Sequence, residues 1–506
     1  MNRRNFLKTA GGVAAGAGVT GTAKPARAEA TRWTTQAPSL RKNKSNVIVV
    51  LFDSLRWDYM GLYGSQWCQT PNLDRFAREC MVFDKAYPEN LPTLPARTSM
   101  WTGRFGYPFR GWQDYETDDN PVSEILWDQG VHTGLITDAY HLHKPRMGYG
   151  RGYDYVEWLR GQEGDPFVMW DAPIDLDHYW KPGGYNSEAG KAQTTQYLKN
   201  RYHWQGDEDN FICQMMKSSV DWLKRQREKN NIFLWMDCFD PHEAWDPPEK
   251  YWRPYDPEWT GRELILPNVG DVDYLTPQEL HNIKAHYAGM VTLCDEWFGY
   301  FIEEIRQMGY LDNSLIIFLS DHGEPFGEHG YIRKCRSWPY EHTGRIPLLI
   351  RHPEGHGAGQ RFDGYVHTTD IAPTILDHLG CNGPDGVPMQ GYLPGEKSGK
   401  RNRPSMQGQS LLPILRGQKQ SQYEIGVTAY HHICWSIRSG DYSHYRFVGQ
   451  EDVQLNNISR IRREAPQVFH TPTDPGEHRD LSLKEPDLLK DMARKLDKFT
   501  NWVKAT

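Results

Sequence analysis

No stretch of this 506-residue chain is apolar for long enough to cross a bilayer as a helix, no segment repeats, and no extended low-complexity tract interrupts it. Positive charge is not in excess either: the formal net charge is −7 at pH 7. Removing residues 1–28 takes away Arg3, Arg4, Lys8, Lys24 and Arg27 and no acid, which moves the charge to −12. Such a chain has no electrostatic basis for non-specific binding to nucleic acid or to an anionic membrane. The eight cysteines, Cys68, Cys80, Cys213, Cys238, Cys294, Cys335, Cys381 and Cys434, are scattered without a Cys-x-x-Cys pair, which argues against a zinc finger. Their even number permits disulfides outside the cytoplasm, but spacing does not give a pairing, and buried thiols are the simpler reading.

What is present suits a large globular protein. Hydrophobic residues make up 38% and charged residues 24%, and the length allows two domains or one large domain with an appended subdomain. The 19 Trp and 27 Tyr can stack on sugar rings or aryl groups, although aromatic side chains fill cores just as well, and the core reading carries more weight.

The N-terminus reads as an address. Asn2-Arg3-Arg4-Asn5-Phe6-Leu7-Lys8 resembles a twin-arginine export signal, a weakly apolar Gly/Ala-rich stretch runs from Thr9 to Ala23, and Ala26-Arg27-Ala28 suits cleavage. The stretch is too short and glycine-rich for a membrane span. No cysteine follows the cleavage point, so a lipid anchor there has no support. The expected destination is the periplasm or the exterior, reached through the twin-arginine translocation machinery.

Chemistry gathers at strand ends. Leu315 to Ser320 is an apolar run that stops at Asp321-His322-Gly323-Glu324-Pro325-Phe326-Gly327-Glu328-His329-Gly330-Tyr331-Ile332-Arg333-Lys334. Val47 to Phe52 is a second apolar run, β-branched at its start, that stops at Asp53. Both suit strands buried on two faces in a parallel sheet, where ligands bind beyond the carboxyl ends. A carboxylate from each, with an adjacent imidazole, suits one divalent cation. Thr93-Leu94-Pro95-Ala96-Arg97 reads as a helix start, with the Thr93 hydroxyl where free amides favour an anion and Arg97 one turn on as a fork for a tetrahedral oxyanion.

These motifs resemble the sulfatase family of the alkaline phosphatase superfamily. The family signature is Cys or Ser, x, Pro, Ser or Ala, Arg, then Thr-Gly-Arg; Pro95, Ala96, Arg97, Thr102, Gly103 and Arg104 fall in register. The Asp321 to Lys334 block and Asp240-Pro241-His242 match two further family segments, and family-like stretches continue through Asp474-Pro475-Gly476-Glu477. The resemblance implies an α/β fold: a large, mostly parallel central sheet flanked by helices, with a small C-terminal antiparallel-sheet subdomain. It implies a catalytic domain over 40–385 and a subdomain over 386–506, after the signal peptide at 1–28. A Gly/Pro-rich stretch from Gly380 to Arg403 reads as the linker or a long loop, Trp435–Arg438 and Tyr445–Val448 as a hairpin, and 485–503 as an amphipathic helix. Helical spacing from Gln278 to Met308 predicts one or two long helices.

The departures from the family carry the functional reading. The nucleophile position holds Thr93, whereas the family's Cys or Ser is converted to formylglycine. Threonine cannot give that aldehyde. A threonine sulfate lacks the C–O cleavage route that releases sulfate from formylglycine, while a phosphothreonine is open to attack by water at phosphorus. The implied metal set is Asp53, Thr93, Asp321 and His322, with Ser54 where calcium-binding relatives carry a second Asp; this shifts the expected ion toward Mn, Zn or Fe, with Ca still possible. His242 is expected to protonate the leaving oxygen with Asp240 orienting it, and Arg97 and Lys334 to balance oxyanion charge. Near Asp138, His141 is the best match to a family imidazole and Lys144 is placed as an anion contact, with Trp158 to Asp165 as a substrate-side loop. A two-metal site would recruit Asp237, Asp240 and His242. Cleavage of a phosphate mono- or diester on a small molecule or saccharide is the leading expectation. Sulfuric ester hydrolysis, on an aryl sulfate or sulfated carbohydrate, is the alternative, and a silent binding protein or a transferase is the third.

Overall fold

In chain order the strands are β1 (Asn46–Phe52), β2 (Met81–Tyr87), β3 (Asn90–Leu91), β4 (His132–Thr137), β5 (Tyr155–Trp158), β6 (Ile232–Cys238), β7 (Gly270–Asp271), β8 (Ser314–Ser320), β9 (Tyr331–Ile332), β10 (Ile346–Arg351), β11 (Arg361–His367), β12 (Gly426–Tyr430), β13 (Cys434–Ser439), β14 (Tyr442–Phe447), β15 (Gln454–Leu455), β16 (Ser459–Arg460) and β17 (Gln467–His470). They belong to a computed structural model that describes residues 45–334, 338–383, 406–431, 433–448 and 465–506, plus the backbone of β15 and β16. The signal peptide, Cys335 and most of the Gly380 to Arg403 stretch lie outside the described residues.

Eight strands form one sheet in the order β11-β2-β10-β8-β1-β6-β4-β5. All run parallel to β1 except β10, which is antiparallel to both β8 and β2. The centre is β8-β1-β6, and every residue of these three strands is buried. Val47, Ile48, Val49 and Val50 pack a pleated surface covered on both faces, which is where β-branched residues are most favourable. Helices lie on both sides. The longest, Pro277–Gln307, is a single helix that starts with a capping box between Thr276 and Glu279 and proline at its first position. Capping of this kind contributes about 0.5–2 kcal/mol.

The smaller sheet has the order β17-β14-β13-β12-β3. It is antiparallel except where β3, which follows β2 directly, pairs in parallel with β12. The predicted hairpin is β13–β14 around Gly440-Asp441. The terminal helix, Pro486–Ala505, buries Met492, Leu496 and Val503 against Trp435, Ile437 and Val468 of this sheet. Cys68, Cys80, Cys213, Cys238, Cys294 and Cys381 are buried free thiols, and Cys434 is buried as well.

The parallel arrangement determines where polar residues emerge. The chain leaves β1, β4, β6 and β8 at one edge of the large sheet, and Asp53, Asp138, Asp240 and Asp321 follow directly there.

Candidate active site and metal centre

Asp53, Asp321 and His322 each place a potential ligand atom within 4.8 Å of the others, and all three are buried. Backbone register explains the convergence, because Phe52 at the end of β1 pairs with Ser320 at the end of β8. Ser54 closes the corner in a left-handed conformation (φ 61°), its amide donating to Asp321 Oδ1 at 3.0 Å and its hydroxyl to Asp53 Oδ1 at 2.8 Å. His322 donates Nδ1–H to the carbonyl oxygen of Gly323 (2.9 Å), which leaves Nε2 with its lone pair. Burial pushes this imidazole down to about 4, so it is neutral, the form that ligates a metal.

The donor set fits a divalent ion on the structure's own terms. His322 Nε2 is buried without a hydrogen-bond partner. Asp53 Oδ2 also makes no aligned hydrogen bond, although Arg97 Nη2 stands 3.0 Å away. Burial and the neighbouring Asp321 both raise the Asp53 carboxyl above its ordinary range. Burial also works against the Asp321 charge, but Arg97 outweighs it and lowers that group to about 2. Two carboxylates this close are held apart energetically unless a cation joins them.

Arg97 supplies part of that positive charge. Its guanidinium is fully buried and meets three carboxylates. Nε and Nη2 donate to Asp237 at 3.2 and 2.8 Å, Nη2 lies against Asp53, and Nη1 donates to Asp321. Asp237 is fixed in turn by Trp235 Nε1 at 3.0 Å. The free oxyanion fork expected from sequence is therefore narrowed: all three nitrogens of Arg97 face carboxylates. The same contacts bear on the two-metal alternative. Asp237 is engaged by Arg97, and neither it nor Asp240 or His242 joins a metal-competent cluster among the described residues.

Thr93 is the first residue of the helix Thr93–Thr102, one turn before Arg97. The sequence reads this segment as a helix start; the helix begins at Thr93 itself, Pro92 is the N-cap residue and no side chain caps this end. The hydroxyl of Thr93, 2% exposed, is thus not committed to holding the helix together.

Lys334 comes from the loop after β9. Its ammonium donates to Glu324, to Glu243 Oε2 at 3.1 Å and to Ser54 Oγ at 3.5 Å. Burial opposes its charge, but Glu243, Glu324 and Asp53 outweigh that and raise its pKa. Next to it, Arg333 donates to Glu243 Oε1 at 2.7 Å and reaches Glu163 Oε1 at 3.4 Å. Glu163 accepts from His141 Nε2 at 3.1 Å. His141 is thereby joined to Lys334 through Glu163, Arg333 and Glu243, which ties Glu163 of the Trp158 to Asp165 segment into this network. Lys144 instead lies over the Tyr140 ring, 4.5 Å from its centre.

His242 follows β6 and donates Nδ1–H to the carbonyl oxygen of Glu243 at 2.7 Å. Burial pushes it down to about 3 against the pull of Glu243, so it rests as a neutral imidazole. A resting proton donor was expected, and the neutral ring must first accept a proton. Asp240 does not orient it. Its carboxylate accepts from Gln162 Nε2 at 2.9 Å and from the Ile212 amide at 3.0 Å, and Gln162 also bridges to Asp138 at 3.0 Å.

Sequence reasoning missed Glu243, Glu324 and Arg333 as parts of the site and treated Asp237 only as a metal option. Glu243 directly follows His242, and Glu324 and Arg333 sit inside the Asp321 to Lys334 block. Their buried ion pairing depends on tertiary packing, which local spacing does not encode.

Comparison with known proteins places these residues in context. The sulfatase family profile matches residues 45–381, and a twin-arginine signal profile matches residues 1–20. An arylsulfatase of Clostridium perfringens is 27% identical over 393 residues, covering 68% of this chain and 76% of that protein. An N-acetylglucosamine-6-O-sulfatase of Bacteroides thetaiotaomicron is 24% identical over 506 residues, covering 84% and 83%. Among solved structures, the phosphonate monoester hydrolase of Agrobacterium radiobacter superposes with a TM-score of 0.69 at 18% identity, covering 91% of this chain and 96% of its own.

Proposed function

We propose that this chain, which belongs to the sulfatase family and carries a twin-arginine export signal, is a metal-dependent hydrolase of phosphate esters with Thr93 as nucleophile. The observation that carries the reading is the threonine itself, at the start of the helix that carries Arg97 one turn on, with a hydroxyl not used as a cap. A secondary alcohol of this kind forms and releases a phosphoryl group at phosphorus but cannot pass through an aldehyde hydrate.

A divalent ion held by Asp53, Asp321 and His322, with Thr93 as a further ligand, would supply Lewis acidity toward the threonine hydroxyl and the substrate oxygen; Mn, Zn or Fe suit the mixed donors better than Ca. The chain's own groups do the rest. Thr93 Oγ attacks phosphorus in line, forming the Oγ–P bond as the bond to the leaving oxygen breaks. His242, neutral at rest, takes the threonine proton and returns it to the leaving oxygen. Lys334 supplies charge to the equatorial oxygens, and Arg97 keeps the ligand carboxylates in place. His141, held by Glu163, is assigned to orient the substrate. Water then attacks the phosphothreonine, losing a proton to His242 as Oγ departs and regains one.

A second reading, sulfuric ester hydrolysis, is favoured by the likeness to the arylsulfatase and the N-acetylglucosamine-6-O-sulfatase. The test is turnover of p-nitrophenyl phosphate, bis-p-nitrophenyl phosphate and p-nitrophenyl sulfate by the mature, Mn- or Zn-loaded protein, with Thr93→Ala as control. Phosphoester turnover that vanishes in Thr93→Ala supports phosphoryl transfer, whereas turnover of the sulfate alone supports the second reading.

A further inference from the structure

At the edge of the large sheet opposite the catalytic centre, β10 ends in the turn His352-Pro353-Glu354-Gly355-His356-Gly357. Because β10 runs antiparallel to β8, its last residue Arg351 pairs with Ile316 near the start of β8, whereas Asp321 follows the other end of β8. His352, Glu354 and His356 each bring a ligand atom within 4.8 Å of the others. We infer that this turn is a second metal site, distinct from the catalytic one and selective for a borderline transition ion of the zinc, nickel or copper(II) class.

The local backbone builds the cluster. The amide of Gly355 donates to the carbonyl oxygen of His352 at 2.9 Å, closing a tight turn. Gly355 and Gly357 both adopt left-handed conformations, φ 72° and 75°. Gly357 lies against Met81 of β2, and its left-handed φ is one that side-chain-bearing residues rarely adopt. Three donors that alternate along the chain are thus folded onto one point.

The donors carry the selectivity. Two imidazoles with one carboxylate match zinc and its neighbours, whereas calcium and magnesium take oxygen ligands almost exclusively. A solvated ion pair accounts for part of the cluster: His356 Nε2 lies 3.1 Å from Glu354 Oε2, and both side chains are well exposed. His352 joins the cluster from its buried side: it is only 4% exposed and lies with its ring centre 4.6 Å from that of His356. The Glu354 amide points at His352 Nδ1 at 3.2 Å, which keeps a lone pair of that ring turned into the bend. That contact is long and at an exposed residue, so water can take over the amide when an ion takes the lone pair. His378, at the end of the helix Ile371–Leu379, packs edge-on against His352 at 5.5 Å and fixes its plane. Three protein donors leave the fourth position to water.

The experiment is equilibrium dialysis of the mature protein against Zn(II), followed by metal analysis, on wild type, Asp321→Asn, the Glu354→Gln/His356→Gln double variant and the combined triple. Two zinc ions per chain are expected in wild type, one in Asp321→Asn, one in the double variant and none in the triple. With Co(II) in the Asp321→Asn background, the visible ligand-field band reports this turn alone and should vanish on adding Glu354→Gln/His356→Gln. The double variant should keep ester turnover, and its metal-free melting temperature should match wild type because both residues are exposed; His356→Gln alone serves as a milder second variant. Equal zinc content in wild type and the double variant, or an unchanged Co(II) band, overturns the inference. Loss of zinc from Asp321→Asn bears only on the catalytic centre, so the two readings fail independently.

Discussion

His322 donates Nδ1–H to the carbonyl oxygen of Gly323 at 2.9 Å and presents Nε2 3.3 Å from Asp321 Oδ2. A neutral imidazole aimed at an ionised carboxylate, both fully buried, is a donor pair that suits a divalent cation.

Removing that cation or its ligands should therefore stop turnover. Chelation should abolish ester hydrolysis and re-addition of Mn or Zn restore it, while Asp321→Asn should lose bound metal and activity together. Metal content measured beside the rate checks this, and full activity in a protein stripped at Asp53, Asp321 and His322 would contradict it.

Lys334 meets Glu243, Glu324 and Ser54 and remains cationic although buried. Lys334→Met should lower kcat by roughly 100-fold or more, the size seen when a group that stabilises transition-state charge is removed. KM should change less than kcat, and a steady-state comparison on p-nitrophenyl phosphate measures the split.

Arg97 is surrounded by Asp53, Asp237 and Asp321 with no exposure. Arg97→Leu leaves three buried carboxylates with reduced compensation and should cost about 3–5 kcal/mol, the range for breaking one side of a buried ion pair. Chemical denaturation of the metal-free protein reads this. Bound metal should recover part of the loss, since it replaces the missing positive charge.

The fold was legible where the pattern is local. The apolar runs of β1 and β8, the helix Pro277–Gln307, the hairpin β13–β14 and the terminal helix all follow from period, turn residues and caps. Three features were not legible. The single antiparallel strand β10 resembles its parallel neighbours in composition, because both kinds are buried on two faces here. The partners of Arg97 were also hidden, since residues 53, 237 and 321 meet only through the parallel register of β1, β6 and β8. Likewise, the neutral state of His242 depends on burial, which residue identity alone does not give.

Acid should weaken the fold through a buried histidine outside the metal cluster. His286 stacks on Trp252 at 4.4 Å and donates to the Trp245 carbonyl oxygen at 3.1 Å, and burial pushes it from 6.5 to about 3. Its folded pKa is depressed, so its contribution is complete above the ordinary value of 6.5 and is lost as pH falls toward 3. The melting-temperature gap between wild type and His286→Gln should narrow across that window. A constant gap would contradict the assignment.

The central claim is that phosphorus passes through Thr93. The direct measurement is mass spectrometry of the Thr93-containing peptide after acid quench during turnover of p-nitrophenyl phosphate. The account predicts one phosphoryl group on Thr93 under turnover, with none when substrate is absent. Active turnover with Thr93 unmodified at every quench time, and activity retained in Thr93→Ala, would contradict it.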